Sequence, residues 1–111
     1  MVGHVFINTP SLEIVAQRIA SFSGPMAHRE DGVLCAIARS VTVMPNHGVS
    51  VDARRYASVV LVQEGTSASE IADNTMVVFR LLCEEGDVGV MATMDLDETL
   101  ATFEPGIRAA R

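Results

Sequence analysis

Between Arg54 and Gly86 two elements follow one another with almost no slack, and no other part of the chain restricts the fold as much. The run 54–63 is dense in β-branched residues and predicts a strand. It would set Arg55, Ala57, Val59 and Leu61 on one face and Arg54, Tyr56, Ser58, Val60 and Val62 on the other. After the short polar turn Glu64-Gly65-Thr66 comes Ser67 with Glu70 three positions on, the pattern of a capping box. Ile71, Thr75, Val78, Phe79 and Leu82 then recur at three- and four-residue spacing, and Gly86 supplies a stop. This predicts a helix from Ser67 to Cys83. Because Val77, Val78, Phe79, Leu81 and Leu82 make it apolar around more than one side, a second chain is expected to cover part of it.

The rest of the chain reads as a single domain, 1–111, with 49% hydrophobic residues to build a core. Few aromatics, no Trp and 6 Met point to thin layers packed over wide areas, or to a surface closed by another copy. A formal charge of −6 argues against holding nucleic acid by non-specific attraction, since phosphate affinity grows with Lys and Arg and only 8 are present. No charged start followed by an apolar core is visible, nor an apolar run of the ~20 residues a membrane span needs, so a soluble intracellular protein is expected.

Taken in order, 4–8 predicts a first strand. Residues 9–22 read either as a helix capped by Thr9 with Pro10 in its first turn and Leu12, Val15, Ile19 and Phe22 as a stripe, or as extended chain. Gly24-Pro25 and Asp31-Gly32 bound a loop, 23–32, and 33–44 predicts a second long strand whose even positions include the small or polar Ala36, Ala38, Ser40 and Thr42. Pro45-Asn46-His47-Gly48 turns the chain so that this strand and the next pair as a hairpin. Beyond the helix, 88–94 is a short strand or a connector, and Asp95 is expected to cap a last helix that ends near Pro105.

Chemistry-bearing constellations are scarce. His4, His28 and His47 lie far apart with no nucleophile arranged beside them, and Cys35 and Cys83 read as buried reduced thiols. The acidic residues Glu84, Glu85 and Asp87, and Asp95, Asp97 and Glu98, match no cation-binding loop, and Gly86-Asp87-Val88-Gly89 is too short to cradle phosphate. No catalytic residue, metal ligand or cofactor is expected.

Arg-x-Tyr opening a strand, a turn of Gly, Thr and Ser, and a four-turn helix, preceded upstream by Ser21-Phe22-Ser23-Gly24-Pro25, resemble the coat proteins of single-stranded RNA bacteriophages over roughly residues 20 to 100. The resemblance implies an α+β fold, an antiparallel sheet with two C-terminal helices packed on a partner subunit. It implies interlocked dimers that assemble into an icosahedral shell in the host bacterial cytoplasm, to be found in the virion. It further implies an RNA-binding face on which Tyr56 stacks on a base, Arg54 and Ser58 meet phosphate, and Ser40 and Thr42 lie alongside; Val78, Phe79 and Leu82 would form the dimer interface. The segment from Pro45 to Ala53 is short for that family, so a smaller sheet is expected, and Asp52 and Glu64 dilute the basic character of the face. The alternative is a ferredoxin-like βαββαβ domain, homo-oligomeric, with an enzymatic or ligand-binding pocket lined by Arg39, Tyr56 and one histidine.

Overall fold

The computed structural model describes residues 1–47 and 55–105. Its seven strands and three helices alternate as β1 (Gly3–Ile7), α1 (Leu12–Arg18), α2 (Ala20–Ser23), β2 (Met26–His28), β3 (Leu34–Ala36), β4 (Val41–Pro45), β5 (Ser58–Val62), α3 (Ala68–Cys83), β6 (Val90–Met94) and β7 (Glu98–Phe103). The fold is α+β, built on one antiparallel sheet of order β2-β3-β4-β5-β1-β6-β7. β1 is central, pairing β5 on one side and β6 on the other. Two strand–helix–strand units interleave here. One runs from β1 through α1 to the β2–β4 stretch, the other from β5 through α3 to β6, and the central order β4-β5-β1-β6 follows the strand–helix–strand–strand–helix–strand pattern of the alternative reading.

Both main helices cover the same face of the sheet. Val5 and Ile7 of β1, Val60 and Val62 of β5 and Val43 of β4 point into this layer and meet Val15 and Ile19 from the first helical segment and Val78 and Leu82 from α3. α1 is capped by Ser11, whose Oγ accepts the Ile14 N–H at 3.3 Å, so the chain starts its turn two residues later than a Thr9 cap would set it. In α3 the Ser67 Oγ accepts the Glu70 N–H at 3.1 Å, while the Glu70 carboxylate takes the Thr66 hydroxyl at 2.6 Å. Gly86 (φ 67°) then reverses the chain, donating its N–H to Cys83 O at 3.0 Å. A bidentate Arg18–Asp87 pair, both contacts at 2.8 Å, fastens the end of α1 to the loop after α3. Among the described residues no helix is long and apolar enough to cross a membrane.

Two elements differ from expectation. The run 33–44 is not one strand: Leu34 pairs with Val43 and Cys35 with Thr42, so β3 and β4 fold back on each other within it, and the loop ahead of them contains β2. The core-facing positions change from even in β3 (Leu34) to odd in β4 (Val41, Val43), a shift that the apolar odd residues Val33, Cys35 and Ile37 conceal from alternation. The last helix is absent as well. Asp95 (φ 52°) and Leu96 (φ 67°) form a left-handed turn, and the chain returns as β7, so α3 is followed by a β-hairpin and the two C-terminal helices of the coat pattern are not present. Asp95 is held by reciprocal 2.8 Å bonds with Val2: its N–H donates to Val2 O, and its Oδ1 accepts the Val2 N–H. Tertiary bonding of this kind overrides a cap signal read from sequence.

Candidate recognition surface

The face of the sheet opposite the helices is organised by register into two rows that cross the strands. One row runs Ala27, Cys35, Thr42, Leu61, His4, Thr93, Thr99, each opposite the next. The other runs Met44, Val59, Phe6, Met91, Thr102. Hydroxyl, thiol and imidazole groups thus fill one row, and apolar side chains most of the other. Phe6, Val59, Met91 and Tyr56 form a second small core on this side.

At its middle an aromatic file runs along the face. The His4 and Phe6 rings stack at 5.9 Å and 12°, as the two-residue repeat of one strand face dictates, and Tyr56 lies 6.1 Å from Phe6 at 37°. Arg55 closes the file: its Cζ sits 4.9 Å over the Tyr56 ring, one Nη2 donates to the Tyr56 hydroxyl at 2.9 Å, and the same nitrogen is paired with the Glu104 carboxylate. Burial pushes the Tyr56 phenol up, and Arg55 partly offsets that, while the Glu104 bond raises the Arg55 guanidinium further. Gly89 makes room here, for a Cβ on it would stand 3.3 Å from Glu104 Oε2 and 3.6 Å from Tyr56 Cε1. At the other end of the file His4 is 8% exposed and Thr93 4%, and neither His4 Nδ1 nor Thr93 Oγ1 has a hydrogen-bond partner. Burial lowers the His4 pKa, against opposing contributions from Asp95 and the Val2 backbone.

The residues implied for RNA binding are not gathered on one surface. Tyr56 is only 3% exposed, with its ring between Phe6 and Arg55 and no face free for a base. Ser58 is fully buried on the helix side and donates its hydroxyl to Thr9 O at 2.6 Å. Tyr56 precedes the regular strand, so the alternation that grouped it with Ser58 does not extend to it. Ser40 is exposed in the β3–β4 turn, its N–H donating to Glu64 Oε1 at 2.8 Å. Thr42 is half-buried on the helix-free face beside Cys35. Arg54 lies outside the described residues.

Of the expected dimer contacts, Val78 and Leu82 are fully buried against the chain's own sheet, and Phe79 packs half-buried on the same core. The pocket lined by Arg39, Tyr56 and a histidine is not formed either, because Arg39 stands over the Phe22 ring at 4.8 Å. Both cysteines are free and half-buried, and among the described residues no group of three or more His, Cys, Asp or Glu side chains is placed to hold a metal ion.

Sequence reasoning read His4 as a solvated histidine, whereas it is buried, and overlooked Phe6 and Glu104. The signal for His4 and Phe6 was their spacing of two in a β-branched run, which puts both on one face; Glu104 carried none, since only the return of β7 brings it to Arg55. No family model, curated protein or solved structure matches the chain.

Proposed function

We propose that this chain is a ferredoxin-like βαββαβ module that acts by association, forming small homo-oligomers. The observation that carries this reading is the strand order β4-β5-β1-β6 with both connecting helices on one side. Such a sheet has two edges, which are the places where modules of this shape meet partners. A binding role is favoured over bond chemistry because the charged groups at the end of the aromatic file are already engaged with one another. Arg55 serves Glu104 and Tyr56 at once, and a neutral pair of this kind also offers little to phosphate.

Shell formation as a coat protein is the second reading, and one feature favours it: the helix layer keeps apolar side chains at its surface, with Ile14 41% exposed and Val77 and Leu81 half-buried. One experiment separates the two. Light scattering after size exclusion, with absorbance at 260 and 280 nm and electron microscopy of the same peak, is expected to give a nucleic-acid-free dimer or small oligomer. Uniform megadalton particles carrying RNA would replace this reading with the coat reading, and a monomer at all concentrations would remove both.

A further inference from the structure

We infer that two copies of the chain pair antiparallel along β7, edge to edge, so that their sheets join into one; this rests on the self-associating reading above and names its surface. The two edges of the sheet are built differently. β2 has three residues, begins after Pro25 and runs into Arg29, Glu30 and Asp31, the last ion-paired with Arg29 at 3.1 Å. Shortness, proline and charge are the devices that keep an edge from pairing. β7 has six residues, the longest strand of the sheet, and among the described residues nothing pairs its outer side. Its four inner residues, Thr99, Leu100, Ala101 and Thr102, carry neither charge nor proline over their open N–H and C=O groups; Glu98, Glu104 and Pro105 stand only at the ends.

The strand is also complementary to itself. A register shift between Ala92 and Thr93 sets Ala101 opposite Ala92 and Thr99 opposite Thr93, leaving Leu100 as the extra residue. Leu100 packs on the helix-side core, as Ala101 does through its partner Ala92, so both lie on that face. From Glu98 to Phe103 the faces therefore read helix side, free side, helix side, helix side, free side, helix side, the same in either direction. A two-fold axis perpendicular to the sheet between Leu100 and Ala101 matches every side chain with one on its own face. Glu98 then meets the partner's Phe103, Leu100 the partner's Ala101, and Thr99 the partner's Thr102; just outside the strand Asp97 faces the partner's Glu104, whose charge Arg55 offsets. The two Thr–Thr pairs join side chains that are exposed in the single chain, and cross-strand hydroxyl pairs of this type favour sheet pairing.

The register makes the test sharp, because Thr99 and Thr102 are exposed and their replacement leaves the core alone. Sedimentation analysis of wild type from low to high micromolar concentration should give a dimer. In T99K/T102K each Lys faces a Lys of the other copy, and dimerisation should weaken roughly tenfold or more while far-UV circular dichroism and melting stay those of wild type. In T99E/T102K every facing pair is Glu with Lys, and the dimer should return. A dimer unchanged in T99K/T102K overturns the edge pairing but leaves self-association standing. A dimer lost in T99K/T102K and not recovered in T99E/T102K overturns this register, and a wild type that stays monomeric overturns both the edge and the reading it rests on.

Discussion

His4 and Thr93 stand directly opposite each other on β1 and β6, both more than nine-tenths buried, and the Nδ1 of one and the Oγ1 of the other have no hydrogen-bond partner. A buried polar atom left unpaired costs about 1–3 kcal/mol, whereas an apolar group of the same shape costs nothing of the kind. Thr93→Val keeps the branched shape and removes the hydroxyl. It is expected to raise the unfolding free energy by about 1 kcal/mol in urea titration; a loss of stability would mean the hydroxyl is engaged.

The same pair sets a pH dependence. Burial lowers the His4 pKa, so the folded state disfavours the imidazolium while the unfolded chain takes up a proton near pH 6.5. Stability is therefore full above about pH 6.5 and is lost as the pH falls from there through the lowered folded value. His4→Phe, compared with wild type in denaturant titrations between pH 8 and pH 5, should flatten that slope. An equal slope in both proteins would place the titration elsewhere.

Gly3 lies where α3 comes closest to the central strand: a Cβ there would overlap the Thr75 hydroxyl, which itself donates to Ile71 O at 2.6 Å. Gly3→Ala is expected to destabilise by about 1–3 kcal/mol, the usual cost of overfilling a packed contact. Thr75→Ala should restore part of that loss in the double variant, and strict additivity in the cycle would show that the two positions do not touch.

Leu82 tests whether α3 belongs to its own sheet. Fully buried in a single chain, it should cost about 2–5 kcal/mol as Leu82→Ala. Its cost should also be the same at every protein concentration, because no second copy is needed to cover it. A loss that shrinks as concentration rises would put Leu82 in an interface instead.

Ser67→Ala removes the cap of the longest helix and should cost about 1 kcal/mol. Ser67→Asp, which keeps an acceptor for the Glu70 N–H, should stay near wild type in the same melting experiment.

What could be read in the sequence followed how local the determining forces are. α3 was legible from end to end, since its cap, its buried stripe Ile71, Thr75, Val78 and Leu82 and its Gly86 stop all lie within it. β1 was legible as a strand because its β-branched run is short and bounded, and β5 was legible too, although it begins at Ser58 and not at the start of the run 54–63. Residues 33–44 were not, because Arg39 and Ser40 interrupt the pattern too weakly to announce the fold-back of β3 on β4. Asp95 looked like a helix cap because the interaction that fixes it comes from Val2, 93 residues away. The central face shows the same limit. Tyr56 was picked out through the Arg-x-Tyr resemblance, but its burial depends on its neighbour Arg55 and on Phe6 and Glu104, which two distant segments bring to it.

The central position of β1 bears on how the molecule comes to be made. β1 has its neighbours at 58–62 and 90–94, so during synthesis it stays without a ladder until both have followed it. Folding that waits on such distant partners is slow for a domain of this size and exposes Val5, Phe6 and Ile7 in the meantime. In the living cell, the nascent β1 segment is accordingly where a chaperone would be needed.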